Sequence, residues 1–367
     1  MQGQSMCSKR PVLVVEDDVW ARVVGVVLDP ATTGERSNAY ADFMSPDEPD
    51  FAAWCERVRQ AAGPLYPSDV RLVSSSVDLR TNLADACAVV TESLVIGPEE
   101  LKPAPHLKLV YKYGTILRNI DVTACQSAGV EVHTVRRRAN IACAEHALAL
   151  MLALARRLNR LQGLISVEQL PHAQRPYRPF DRRHTPVANW ARFAGIRMLN
   201  ASTLGIIGLG EIGREIARRA SAFGMRVIYF QRTRLSPSEE AALNVDYEPL
   251  DLLLARSDWV VPQLPGAAAT VNFIDAARLA RMKPGACLIN VARAELVERK
   301  ALLDALRSGH LGGFALDPQY QEPGRSDDEL LLFDNVVLTP HVAGSPRFNG
   351  LADIEEVITG LARELAA

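Results

Sequence analysis

The sequence predicts an α/β protein of two parallel-sheet domains, and three observations carry that prediction. At 367 residues the chain is too long for one ordinary hydrophobic core and suits two. Short Val- and Ile-rich runs alternate with helically spaced or turn-rich segments in two successive series, the pattern of strands joined by crossovers. The second series opens on Gly208-x-Gly210-x-x-Gly213, set directly after one apolar run and directly before a helical one.

Along the chain, the first ten residues read as a loose tail. "PVLVVEDD" and "ARVVGVVLD" are strand-like runs enriched in Val, and residues 30–50, rich in Pro, Asp, Ser and Thr, read as a loop. Helical spacing over 51–62 stops at Gly63-Pro64. "DVRLVSS", "ACAVVTES" and "LKLVYKYG" supply three more short strands. A long helix is expected over 142–162, followed by a Pro- and Arg-rich arm over 163–200; an arm of that length is usually functional or packed on something else. The second series places strands at 203–207, 226–230, 258–261, 286–290, 312–316 and 335–338. No repeat of solenoid length is present.

Composition is that of a soluble globular protein: 48% apolar, 23% charged, net charge −2. Such a balance gives no reason to expect a nucleic acid or an anionic membrane as partner. The six cysteines form no C-x-x-C pair, so neither a metal site nor a disulfide framework is expected, and a reducing cytoplasm suits them. "MQGQSMCSKRP" has no apolar core of a signal peptide. The most apolar stretch, Ala147 to Ala155, is about half of what a membrane span needs and reads as a buried helix.

The glycine turn carries the first chemistry. Gly208 permits the tight turn, Gly210 lets the backbone approach a pyrophosphate, and Gly213 lets helix and strand pack closely. The helix opening at Glu211 and Ile212 turns free N–H groups toward the phosphates. At the end of the following strand an acid would accept from the ribose hydroxyls of NAD. Here the chain reads Gln231-Arg232-Thr233-Arg234. Two guanidiniums and a hydroxyl would bind a 2′-phosphate where a carboxylate would repel it, so NADP is the preferred cofactor, with NAD possible.

Three later stretches, "KPGACLINVARAELVERKAL", "GGFALDPQYQEPG" and "NVVLTPHVAGS", each set one reactive side chain beyond an apolar strand: Arg293, Glu322 and His341. In open α/β sheets ligands bind outside the carboxyl ends of the strands. With "GIIGLGEIG", "SDWVVPQLP" and "ALLDALRSGHLGGFALD", these stretches resemble the D-isomer-specific 2-hydroxyacid dehydrogenases. That family includes glyoxylate/hydroxypyruvate reductases, phosphoglycerate dehydrogenases and D-lactate dehydrogenases. The resemblance is dense from about Ser202 to Gly344, weaker from about Leu94 to Leu161, and barely visible before that.

The resemblance implies two Rossmann-like/flavodoxin-like parallel-sheet domains with a cleft between them: 1–141 plus 345–367 for substrate, and 142–344 for the dinucleotide. It also implies roles that the chemistry supports. Arg293 clamps the carboxylate of a 2-oxo acid and polarises the ketone. His341 gives the proton to the developing alkoxide. Glu322 orients the imidazole and favours its protonated form. Leu264 and Pro265 border the adenosine, and Ala292 and Asp317 meet the nicotinamide. Tyr113, Gly114 and Thr115 join Arg293 on the substrate, a small 2-oxo or 2-hydroxy acid. The arm with Trp190 packs across a homodimer interface in relatives.

The chain also departs from the family. Ile116 stands at the second glycine position of the substrate loop and Arg118 at an acidic one, while Gln263 replaces a commonly seen His and Ala294 a Gly. Arg136-Arg137-Arg138 is a cationic run in an otherwise unfamiliar stretch; it either draws a dianionic substrate or the cofactor phosphates, or is a solvated loop. Two alternatives stay open on the same scaffold: formate or phosphite dehydrogenation, and a dinucleotide-sensing regulator or corepressor. Glu322, where formate dehydrogenases place an amide, argues against formate.

Overall fold

The computed structural model describes residues 10–170 and 177–366. The expected N-terminal tail therefore falls, apart from Arg10, outside the described residues. The chain forms two compact units, one of residues up to 142 together with 344 onward, the other of residues 143–343.

The first unit holds a five-stranded parallel sheet of β1 (Val12–Glu16), β2 (Asp69–Val73), β3 (Ala88–Thr91), β4 (Leu109–Lys112) and β5 (Glu131–Thr134), in the order β2-β1-β3-β4-β5. Both faces are covered, which explains why its strands are continuous apolar runs rather than alternating ones. Leu13, Val15, Val90 and Tyr111 face one core with the helices Phe51–Ala62 and Phe348–Ala366. Val14, Val89 and Val110 face the other. The C-terminal helix packs on this sheet so closely that a Cβ at Gly360 would stand 2.7 Å from the Tyr111 ring.

The second unit holds seven parallel strands: β6 (Thr203–Ile207), β7 (Arg226–Phe230), β8 (Asp246–Tyr247), β9 (Trp259–Pro262), β10 (Cys287–Asn290), β11 (Gly313–Leu316) and β12 (Val336–Leu338). Their order is β12-β11-β10-β9-β6-β7-β8. Leu204, Ile206, Val261 and Ile289 point into one core; Ile207, Val260, Leu288 and Phe314 point into the other. Each such side chain contributes about 1.5–3 kcal/mol by burial. The order reverses between β6 and β9, and that switch point is where a ligand finds room outside the strand ends.

Three expectations need correction. "ARVVGVVLD" is a helix, Val23–Leu28, all six residues of which are buried; a short run buried on every side carries no period that separates helix from strand. Within 30–50 the segment Gly34–Met44 is also helical, started by the Thr33 side chain accepting from the Arg36 amide. The long helix runs Arg138–Arg156 and ends at left-handed Arg157 (φ 53°), so Leu158–Leu161 is a separate turn. By length and composition Arg138–Arg156 is apolar enough to cross a membrane. Here Ala147, Leu148, Leu150, Met151, Leu154 and Ala155 line the second unit's core. The arm over 163–170 and 177–200 is irregular apart from one 3₁₀ turn, Val167–Gln169.

The arginine run is resolved mainly within the first unit. Arg138 donates to buried Asp353 through its main chain (2.9 Å) and guanidinium (2.7 Å), and to Glu356 at 2.9 Å. Arg137 lies 4.4 Å from the centre of the Tyr113 ring. Arg138 thus fastens this segment to the C-terminal helix, and Arg137 packs against Tyr113 beyond β4.

Candidate active site

The register of the second sheet places its functional loops side by side. Ile207 pairs with Pro262, Asn290 with Leu316, and Leu316 with Leu338. Gly208, Gln263, Val291, Asp317 and Thr339 therefore leave the sheet on one edge.

At the switch point the glycine turn has the shape a dinucleotide needs. Gly208 takes φ 96°, and a Cβ there would stand 2.4 Å from the Gln263 carbonyl oxygen. A Cβ on Gly213 would meet the Gly208 carbonyl at 2.5 Å, so helix and strand touch through two glycines. Gly210, which caps the helix Glu211–Ala222, has nothing within 4 Å of its missing Cβ. That open cradle at the N-terminus of a twelve-residue helix fits a pyrophosphate. Leu264 borders the same turn, its Cδ2 3.1 Å from the Gly208 Cβ position, and exposed Pro265 follows it.

Beyond β7 the two arginines differ. Arg234 forks onto Glu240 with two 2.8 Å bonds, and the Tyr229 hydroxyl donates to the same carboxylate at 2.7 Å. The Arg234 bond holds the Glu240 carboxyl down at about 2. Arg234 is thus engaged by an internal acid that the sequence placed out of sight, six residues on. Arg232 and Thr233 remain exposed, in a turn braced by the Gln231 side chain donating to the Thr233 carbonyl (2.6 Å).

The strand ends β10, β11 and β12 carry the three reactive side chains. Arg293 is exposed, and its guanidinium donates to the neighbouring Ala292 carbonyl at 2.7 Å. Its turn is pinned by buried Asn290, whose side chain donates to the Arg293 carbonyl (2.7 Å) and accepts from the Ala292 amide (3.0 Å). His341 Nδ1 stands 2.9 Å from Glu322. The imidazole bond, followed by the Gln319 amide, holds the Glu322 carboxyl below the usual range. An ionised carboxylate only accepts, so Nδ1 carries the hydrogen and Nε2 is left to exchange a proton with a ligand.

His341 itself is strained, with φ 55° in the left-handed region. Asp317 holds it there. The main-chain oxygen of Asp317 accepts from the His341 amide (3.0 Å), and its buried carboxylate accepts from the amides of Val342 (2.9 Å) and Ala343 (2.8 Å) and the Thr339 hydroxyl (2.7 Å). Burial alone would push this carboxyl up; the His146 ring, the Thr339 hydroxyl and the two amides outweigh it and hold it at about 2. The carboxylate is fully enclosed, so it acts on the turn that bears His341 rather than standing open to a ligand.

A folded-state value below the unfolded one gives stability that is present at neutral pH and lost as pH falls through it. A drop from 3.8 to about 2 is worth roughly 2.5 kcal/mol at neutral pH, of which about 1 kcal/mol is gone by pH 3. Urea unfolding of wild type and Asp317→Asn between pH 6 and 3 is expected to show the variant losing less stability over that span.

The first-unit residues behave differently from expectation. Tyr113 is buried, with its ring against Arg137, so its side chain is core. The Gly114 amide, expected to serve a ligand carboxylate, donates to the Lys112 carbonyl at 2.9 Å. Gly114 has φ 150°, which favours glycine, whereas Ile116 in the following turn is half-buried. Thr115 is exposed. In the second unit the Ala292 amide is likewise spent, on Asn290.

Comparison with known proteins now decides the family. Residues 148–343 match the family described as D-isomer specific 2-hydroxyacid dehydrogenase, NAD binding domain. A glyoxylate reductase of Pyrococcus furiosus is 37% identical over 290 residues, covering 79% of this chain and 81% of the relative. This chain belongs to the D-isomer specific 2-hydroxyacid dehydrogenase family. It is accordingly an oxidoreductase that acts on a CH–OH group with a nicotinamide cofactor. A D-3-phosphoglycerate dehydrogenase of Mycobacterium tuberculosis is 35% identical over 298 residues, or 77% of this chain and 52% of the relative. Among solved structures, a protein of Pyrococcus horikoshii OT3 superposes with TM-score 0.56 at 25% identity, covering 97% of this chain and 91% of the other. The D-mandelate dehydrogenase of Rhodotorula graminis, at TM-score 0.55 and 23% identity over 97% and 94% of the two chains, shares the fold.

Sequence reasoning named Arg293, Glu322 and His341 and missed what holds them: Asn290, Gln319, Thr339 and His146. Gln319 donates to the carbonyls of Asp317 (3.1 Å) and Thr339 (2.9 Å) and gives its amide to Glu322 (2.9 Å). The signal available was a polar residue closing an apolar run, as Asn290 does in "CLIN" and His146 does before "ALALMLALA". Asn290 is buried and His146 part-buried, and such polar groups must find partners.

Proposed function

We propose that this dehydrogenase works as an NADPH-dependent reductase of small 2-oxo acids, of the glyoxylate or hydroxypyruvate type. The observation that carries the reading is the Glu322–His341 pair, with Nδ1 anchored and Nε2 presented, on the same sheet edge as the glycine cradle. A nicotinamide cofactor held at the turn of Gly208, Gly210 and Gly213 would supply the hydride for the C2 carbonyl carbon. Arg293 pairs with the carboxylate and draws charge onto the ketone oxygen, and His341 Nε2 hands that oxygen a proton, giving the 2-hydroxy acid. Glu322 steadies the imidazole while its charge changes. The substrate names of the glyoxylate reductases support the choice of acid.

The cofactor preference rests on Arg232 and Thr233 where an acid would favour NAD. With Arg234 tied to Glu240, Arg232 carries the phosphate contact in this reading. Arg232→Ala is expected to lower kcat/KM for NADPH roughly 10- to 100-fold and leave NADH nearly unchanged, since a bond to a charged group is worth about 1.5–3 kcal/mol. A wild-type preference for NADH would overturn the choice. The whole reading is tested by NADPH oxidation with glyoxylate, hydroxypyruvate, pyruvate and phenylpyruvate; tight NADPH binding without turnover on any would replace it with a sensor. Exposed Ile165, Val187 and Met198 on the arm support a homodimer. Six cysteines without a C-x-x-C pair support a reducing cytoplasm as the location.

A further inference from the structure

A hydrogen-bonded chain, buried at Asp317 and Asn290 and part-buried at His146 and Thr339, runs beneath the two reactive loops of the second unit. It begins at His146, on the helix Arg138–Arg156, whose Nε2 stands 3.0 Å from the Thr339 hydroxyl and 3.4 Å from the Asp317 carboxylate. The Thr339 hydroxyl stands 2.7 Å from Asp317, whose amide in turn donates to the Asn290 carbonyl at 3.0 Å. Asn290 pins the Arg293 turn and Asp317 pins the His341 turn, so one chain of contacts reaches both.

The direction of each bond follows from donor counting. The Asp317 carboxylate only accepts, so the single Thr339 proton goes to it. The Thr339 oxygen is then an acceptor toward His146, and Nε2 of His146 must carry a hydrogen. His146 therefore works as a fixed donor, and an apolar residue in its place would leave the part-buried Thr339 hydroxyl one donor short beside the buried Asp317 carboxylate. The consequence falls on the turn 339–343, because His341 keeps φ 55° only while Asp317 holds the flanking amides.

We propose that His146 is a positioning residue for the reaction: donating from Nε2 to Thr339 beside the Asp317 carboxylate, it holds the strained turn in which His341 meets Glu322. This rests on the reductase reading above for its kinetic consequence but not for its structural one. Residues that orient reactive side chains in this way commonly cost 10- to 100-fold when removed.

The test compares His146→Ala, His146→Gln and Thr339→Val with the wild-type protein. His146→Ala is expected to lower kcat roughly 10- to 100-fold with KM and the NADPH dissociation constant nearly unchanged, and His146→Gln, which retains an N–H donor, to recover part of that loss. Thr339→Val, which removes the bridge and leaves His146 in place, is expected to lower kcat in the same way. In proton NMR the low-field Nδ1–H signal of His341, assigned by its absence in His341→Gln, is expected to broaden or vanish in His146→Ala while the remaining spectrum stays folded. Full kcat and an unchanged His341 signal in folded His146→Ala overturn the proposal, as does an equal loss of kcat and thermal stability that His146→Gln does not repair. Should His146→Ala fail to fold, Thr339→Val and His146→Gln decide by the same readouts. Should the wild type reduce no 2-oxo acid, the reductase reading falls, and the NMR signal alone decides whether His146 places His341.

Discussion

His341→Ala should lower kcat/KM for 2-oxo acid reduction by roughly 10²- to 10⁴-fold, the usual worth of a positioned proton donor. NADPH affinity, read by fluorescence titration, should survive, because the cradle of Gly208, Gly210 and Gly213 belongs to other strands. The imidazole is half exposed, and Nε2 is the nitrogen left over once Glu322 has taken Nδ1. Two other histidines of the second unit are engaged elsewhere: His146 faces Thr339, and His310 bonds to the Leu279 carbonyl. Glu322→Gln keeps an acceptor for Nδ1 but removes the charge, so a smaller loss is expected. The pH profile adds a second reading. The imidazole bond and the Gln319 amide lower the Glu322 carboxyl, so its contribution is present above the ordinary glutamate value near 4.3 and is lost only as pH falls below it. An acid limb in kcat/KM assigned to Glu322 should accordingly lie below that value, and should vanish in Glu322→Gln. Turnover of His341→Ala within a few-fold of wild type would remove the histidine from the reaction.

How much of this was legible in the sequence depends on the range of the forces involved. The second sheet was read nearly strand for strand, since β6, β7 and β10 to β12 are apolar runs bounded by turns, and a buried parallel strand has no simpler signature. The short edge strand β8, two residues long, has almost no pattern to read. In the first unit, Val23–Leu28 was mistaken for a strand because burial on all sides erases the period. Side-chain identity at the site was legible because Arg293, Glu322 and His341 each follow a strand directly. Their supports were not, because a hydrogen bond across 193 residues, such as His146 to Thr339, leaves no mark on local spacing. The adenosine end shows the same limit. "QRTR" displays two cations, and only the fold reveals that Glu240 has claimed one of them. Gly114 likewise looked like a donor until the turn put its amide on Lys112.

Arg293→Ala should cost roughly 10²- to 10³-fold in kcat/KM, the loss typical when one donor to a developing oxyanion is removed. Part of it is expected in KM, because the same guanidinium holds the substrate carboxylate before and during the reaction. The structure leaves the group poised for this. Arg293 is exposed, makes no ion pair among the described residues, and spends one of its five N–H donors on the Ala292 carbonyl. Gly266 makes room for its stem: a Cβ at that position would stand 3.1 Å from Arg293 Cγ and 2.9 Å from Glu295 Oε1. Arg293→Lys keeps the charge and loses the planar fork, so it should recover only a minor share of the activity. Adding guanidinium to Arg293→Ala should restore a saturable fraction of turnover, with none in His341→Ala under the same conditions. That contrast separates the two roles. A clamp can be replaced by a diffusible cation of the right shape, whereas a proton donor fixed at Nδ1 by Glu322 cannot be replaced by an ion that holds its protons above pH 12. Rescue of both variants alike, or of neither, would show that Arg293 does not act as the carboxylate clamp.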